Sequence, residues 1–291
     1  MAGIHNYMLE RDGVVSWWRR RVLVGVAAAA LCVVLLGVRQ WTTVSFGPLT
    51  LQPLPMFVVL TGLVAGVAGV TGATVGYVGY QAIQGLVAIW GGLGLFTMGL
   101  LASLSWGALS RTETNDVPAV RSVNQAFEFL GVTLIACLGG ATIAAWGYEV
   151  SGQLTFYPTA VFTVLSWILS TVVGGAVVLG TISLLVSTPR WRRLVRTLRP
   201  EYSALPDDRR SWLVITTVLI TVWFLLGSFV SLGFQVVELV PPFHLRLREL
   251  SPLLFFTDTG PFNQGGATLQ LALGTSMLTL WTISLRRWEF L

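Results

Sequence analysis

Four side chains with hydrogen-bonding chemistry stand in one apolar stretch, "GYVGYQAIQG" (residues 76–85): Tyr77, Tyr80, Gln81 and Gln84. On a helix, Tyr80 and Gln84 share one face, and Tyr77 and Gln81 share another. Phenol and carboxamide groups donate and accept hydrogen bonds. Inside lipid they need partners or a polar cavity. The pattern points to recognition of a polar small molecule, with ordinary interhelical hydrogen bonding as the plain alternative. Upstream, "GPLTLQPLPMF" (residues 47–57) holds Thr50 and Gln52 among Pro48, Pro53 and Pro55. Proline is tolerated in the first turn of a helix, where its missing N–H would have been unpaired. The stretch reads either as a stiff lip presenting Thr50 and Gln52 at the mouth of a bundle, or as an interfacial loop.

Catalytic chemistry finds little to work with. The histidines, His5 and His244, are far apart in the chain, and no cluster has metal-ligand spacing. "FTDTGPF" (256–262) contains one D-T-G. An aspartic protease needs two coupled carboxylates on a β-scaffold, so this copy reads as a surface turn. A P-loop is missing, and so is a nucleophile–base pair. The chain is therefore read as neither an enzyme nor the carrier of a metal or cofactor. Cys32 and Cys137 fall in apolar runs and read as small buried hydrophobes.

The elements that must position these residues are membrane helices. The chain has 291 residues, of which 11% are charged, and a mean hydropathy of +0.74. Long apolar runs recur from end to end, as in an all-α polytopic membrane protein. A helix needs roughly 20 residues to cross the hydrocarbon core. Eight spans are expected, at about 22–38, 53–70, 73–90, 92–110, 125–147, 158–187, 212–236 and 267–285. The N-terminal apolar run resembles a signal peptide but reads as a retained first helix, because so many helices follow.

All 18 cationic side chains are arginine. With both termini inside, Arg11, Arg19–Arg21, Arg111, Arg121, Arg190, Arg192, Arg193, Arg196, Arg199, Arg209, Arg210, Arg286 and Arg287 face the cytoplasm, and only Arg39, Arg246 and Arg248 lie outside. This is a strong positive-inside bias. It makes the net charge of +5 a topology signal rather than a nucleic-acid footprint. In "TPRWRRLVRTLRP" (188–200), arginines alternate with Trp191, Leu194, Val195 and Leu198 at helical spacing. That segment, Arg190–Arg199 above all, reads as an interfacial element on anionic lipid, or as a docking helix.

The run from "VGVAAAALCVVLLGV" through "FGPLTLQPLPMFVVLTGLVAGVAGVTGATVGYVGYQAIQG" resembles the substrate-binding S components of energy-coupling factor (ECF) transporters. Their biotin-binding branch is the nearest pattern, with its G-P-x-x-[IL]-T-L-Q lip, an apolar helix ending in glycine and a Tyr- and Gly-containing next helix. The resemblance covers roughly residues 22–187 and is strongest over 22–110. It implies a six-helix core that takes a vitamin-like molecule, biotin among them, near the outer face. It also implies a transmembrane coupling protein and ATPases in trans. In that family the first helix docks through alanines four apart, where this chain has Gly25 and Ala29 instead. After Phe156, Tyr157 and Pro158 the acidic and basic residues of the biotin branch are missing.

The expected organisation is a cytoplasmic segment (1–21), an S-component-like core (22–187), an Arg-rich linker (188–211) and a two-helix extension (212–291) with an outer loop at 237–266. The expected substrate site comprises Thr50, Gln52, Tyr80, Gln84 and Trp90, with Tyr148, Glu149 and Tyr157 opposite. The expected function is substrate capture for an ECF-type importer in the cell membrane. The alternative is a membrane scaffold or assembly subunit that binds other membrane proteins.

The arginine distribution generates the first prediction. Single cysteines at Ser203 and Ser110 should escape an impermeant thiol reagent in intact cells, while one at Asn263 should react. The reverse pattern would overturn the topology.

Overall fold

The structure, a computed structural model, describes residues 2–86, 88–109, 118, 120–186, 188–198, 209–239 and 264–287. Linker residues 199–208, the D-T-G turn, His244 and most of the expected outer loop lie outside the described residues. So do Ser110, Ser203 and Asn263. The elements are α1 (Ala2–Gly37), a short α2 (Arg39–Thr42), β1 (Val44–Phe46), β2 (Leu49–Leu51), α3 (Pro53–Ile83), α4 (Ile89–Leu109), α5 (Val123–Val150), α6 (Phe156–Leu185), α7 (Thr188–Leu198), α8 (Arg209–Leu239) and α9 (Gln264–Arg287). Among them, six helices are long and apolar enough to cross a membrane: Trp18–Gly37, Pro53–Ile83, Ile89–Trp106, Val123–Val150, Phe156–Leu185 and Ser211–Gly233. A shorter apolar helix spans Leu269–Ile283. The chain is thus an all-α, multi-pass type of protein, with one small β-hairpin.

Two of the expected spans form a single folded-back element. Within α3, Gly66 takes φ 61° and ψ −149°, a backbone state open essentially to glycine. Val58 and Val70 both lie against Gly99, at 3.1 and 2.6 Å from where its Cβ would stand. In an unbroken helix they would be about 18 Å apart along the axis. Gly66 is therefore an elbow, and arms 53–65 and 67–83 run in opposite directions. At 1.5 Å per residue the arms are roughly 20 and 25 Å long, shorter than the roughly 30 Å hydrocarbon core. The expected break near residues 70–73 sits instead at 66, and the second arm ends at Ile83 rather than at 90. A glycine stop sets that end. Gly85 takes φ 74°, Leu86 N–H donates to Gln81 O at 2.9 Å and Gly85 N–H to Ala82 O at 3.0 Å, the pairing of a Schellman cap. Trp90 consequently begins α4 instead of closing the third span.

Membrane helices gain little from hydrophobic burial against one another, so backbone approach at small residues holds them. Gly72 lies on the backbone of Gly25, and Gly76 on that of Ala29, where a Cβ would stand 2.6 Å from the Ala29 oxygen. The second arm of α3 thus runs parallel to α1. Gly25 and Ala29, the expected docking residues, are half-buried against the chain's own helix. The expected segment 1–21 is also continuous with α1, which begins at Ala2.

The remaining rods alternate in direction. Gly99 meets Val70 and Gly92 meets Val78, Gly147 meets Trp90 and Gly140 meets Gly94, and Gly227 meets Phe156. Gln270 Nε2 donates to Gly227 O at 2.6 Å, bringing α9 back along α8. The core between the rods includes Leu54, Val58, Leu63, Met98, Val132, Cys137 and Trp212. Neither Cys32 nor Cys137 is in a disulfide. α7 lies at the end opposite the hairpin. Its Trp191 and Val195 are buried with Val64, Ile182 and Val186, and Trp191 Nε1 donates to Pro118 O at 2.7 Å. Arg190, Arg193 and Leu194 face outward.

Leucine at Gly72 or Gly76 must push the α1 backbone away, whereas Gly79 has nothing within 4 Å of its would-be Cβ. Overpacking of this kind costs about 1–3 kcal/mol. Gly72→Leu and Gly76→Leu should lower the thermal midpoint of the purified protein in detergent, and Gly79→Leu should leave it unchanged.

Candidate functional site

A strand that leaves the helical ladder must find partners for its own backbone groups, and this decides what the proline-braced lip does. β1 and β2 pair antiparallel, with Ser45 opposite Thr50 and Phe46 opposite Leu49. Gly47 turns the hairpin at φ 60°. Thr50 N–H donates to Ser166 Oγ at 3.1 Å and Gln52 N–H to Ser170 Oγ at 2.9 Å. Ser166 and Ser170 are four apart on α6 and share a face, while Thr50 and Gln52 are two apart on the strand and share a side. The two periodicities match, and the hairpin is clamped. Gln52 Nε2 donates to Thr50 Oγ1 at 2.8 Å. The two side chains expected to await a ligand are engaged with each other.

Beside the hairpin, at the same end of the bundle, a second polar group gathers. Gln81 is 8% exposed and hydrogen-bonds the Tyr77 side chain. The hydroxyls of Tyr77 and Tyr148 converge on Gly91, at 2.7 and 2.9 Å from where its Cβ would stand. Tyr148 also hydrogen-bonds the Gly91 backbone. Trp90 stacks on Gly147 and meets Trp146 edge-on at 5.9 Å between ring centroids. Arg39 is close enough to interact electrostatically with Tyr77. The inward pair on α3 is thus Tyr77 and Gln81. Gln84 is exposed at the helix end, and Tyr80 packs half-buried on the core.

Glu149 serves the backbone. Its Oε2 accepts from Phe156 N–H at 2.9 Å, and its carboxylate also hydrogen-bonds Ser231. Ser231 Oγ accepts from Tyr157 N–H at 3.2 Å. A carboxyl oxygen at a helix N-terminus satisfies an orphan N–H group. Glu149 and Ser231 therefore fasten the start of α6 to α8. The Tyr157 side chain points outward, 38% exposed.

Of the eight expected residues, the structure joins Thr50 to Gln52 and Tyr148 to Tyr77 at Gly91, packs Trp90 on Gly147 and Trp146, and gives Glu149 the Phe156 N–H while the Tyr157 N–H goes to Ser231. It does not bring all eight round one cavity. Sequence reasoning named Tyr77 and Gln81 but did not choose them, and it missed Ser166, Ser170 and Ser231. The i,i+4 serine pair in "SWILS" was the available signal for the first two. Two phenols, a carboxamide and a main-chain amide can orient a neutral or anionic polar molecule. Among the described residues, no group of three or more His, Cys, Asp or Glu could hold a metal ion.

Ser170→Ala removes the acceptor of the Gln52 N–H. An orphaned buried donor costs about 1–3 kcal/mol, so hydrogen exchange at the Gln52 amide should speed up by about five- to 150-fold. Tyr157→Ala should leave that amide's exchange unchanged.

No family model matches the chain, and neither a curated protein nor a solved structure is significantly similar to it.

Proposed function

We propose that the chain is the substrate-capture subunit of an ECF-type importer. It spans the cell membrane with both termini cytoplasmic, the two arms of α3 forming a folded-back pair that returns the chain to the side it entered from. It takes a vitamin-like molecule at the hairpin end and releases it inward when a coupling protein, driven by ATPases in trans, tilts the bundle. The observation that carries this reading is the convergence of the Tyr77 and Tyr148 hydroxyls on Gly91, with buried Gln81 bonded to the Tyr77 side chain. Polar groups held together inside an apolar bundle favour recognition of a polar ligand. The elbow at Gly66 adds support, since the ECF resemblance implies an apolar helix that ends in glycine before a Tyr-bearing one. With Gly25 and Ala29 half-buried against α3, the coupling protein would meet them together with the outward face of α1 that carries Leu23, Val26, Ala30 and Val34. α7 would rest on anionic lipid through Arg190 and Arg193.

The scaffold reading draws on a different observation: the polar groups of the lip are satisfied within the chain. Mass spectrometry of material released from the purified protein separates the two. Capture predicts a small molecule at near-stoichiometric yield, with affinity lowered about two- to twelvefold in Tyr77→Phe or Tyr148→Phe, the cost of one neutral hydrogen bond. A stoichiometric membrane partner with neither ligand nor ATPase would favour the scaffold.

A further inference from the structure

α7 lies across the end of the bundle opposite the hairpin, and a short apolar edge seats it there. Trp191 is 6% exposed and Val195 is fully buried. Both pack with Val64, Ile182 and Val186, and the Trp191 indole donates to Pro118 O at 2.7 Å. α7 therefore bears on the first arm of α3, on the end of α6 and on the segment that leads into α5. Val64 stands two residues before the elbow at Gly66. The arms on either side of that elbow rest on different rods. Gly62 lies on the backbone of Gly99 in α4, and Gly72 on that of Gly25 in α1. At Gly66 the helical backbone is interrupted, so the turn relies on what packs beside it.

The opposite side of α7 carries a different chemistry. Arg190, Arg193 and Leu194 are exposed there. α7 also touches α1, whose Arg19 and Arg20 are exposed at the same end. Among the described side chains, Glu128 is the one carboxyl at this end. A surplus of guanidinium groups attracts an anionic surface, and an apolar side chain set among them suits the boundary between headgroups and acyl chains. The combination fits the surface of an anionic bilayer.

We propose that α7 is a lipid-sensitive strap on the elbow. Anionic headgroups at Arg190 and Arg193 keep the helix seated, and Trp191 and Val195 then hold Val64 and the turn at Gly66 in place. The strap depends on α7 resting against anionic lipid, and not on the importer reading. Through the elbow, the lipid reaches the second arm of α3, which carries Tyr77 and Gln81.

The test places the full chain in nanodiscs of phosphatidylcholine alone, or of equal parts phosphatidylcholine and phosphatidylglycerol. Amide hydrogen exchange, which reads local opening, is followed by mass spectrometry over residues 188–198 and 62–70. Exchange in both segments should be about five- to thirtyfold slower in the anionic discs, the effect of one or two arginines beside an anionic surface. The difference should shrink at high salt. It should vanish in both segments in the Arg190→Gln, Arg193→Gln double variant. Trp191→Ala, or Val195→Ala should the first variant not fold, should speed exchange over both segments in the anionic discs. Hairpin residues 44–51 should exchange alike throughout. Equal exchange over 188–198 in the two discs overturns the lipid contact of α7. A lipid difference confined to 188–198, with 62–70 unmoved by lipid and by the Trp191 or Val195 variant, leaves that contact standing and overturns the strap. A change of equal size at 44–51 overturns it too, since the whole bundle then responds.

Discussion

Inside a bilayer, a backbone N–H or C=O that leaves the helical ladder finds no water, so the chain must supply its partner. That constraint explains the features of this protein that depart from plain helices. The β-hairpin at residues 44–51 is tolerated because its two strands pair and two serines of α6 take the outward N–H groups of Thr50 and Gln52. The start of α6 is tolerated because Glu149 and Ser231 accept from Phe156 and Tyr157. The same demand turned polar side chains that resemble ligand contacts into structural ones. Gln52 and Glu149 both look available in one dimension and are committed in three.

Glycine does the complementary work of bringing rods together. Gly72 and Gly76 let the second arm of α3 lie on the backbone of α1, and Gly91 leaves room for two tyrosine hydroxyls. The close approach at Gly25 and Ala29 uses the small residues of α1 internally. The buried, aromatic-rich side of the bundle includes α8 and α9. Trp146 on α5 donates to the backbone of Gln270 on α9 and meets Trp223 on α8 at 5.8 Å. The last two helices are thus fastened to α5 and α6 by hydrogen bonds and ring contacts rather than attached at their margin.

The cluster at Gly91 brings several hydrogen-bonding groups together near one end of the bundle, among α3, α4 and α5.

The sequence by itself determined the class of protein and the rough positions of its rods. Apolar runs of about 20 residues have few structural outlets, and arginine placement is a one-dimensional signal. It also determined that α7 would be amphipathic, since Trp191 and Val195 are four apart between arginines. Only the tertiary structure decided which of the glycines at 62, 66, 69, 72, 76 and 79 became the elbow. All six permit positive φ, but Gly62, Gly72 and Gly76 are taken up by backbone contact with neighbouring rods, and Gly66 takes the turn. It likewise decided between the two polar faces of the second arm. Tyr80 with Gln84 and Tyr77 with Gln81 are equivalent in spacing, and the rotation of a helix about its axis is set by what packs against it. Here α4 and α5 pack on the Tyr77 side and turn Gln81 inward.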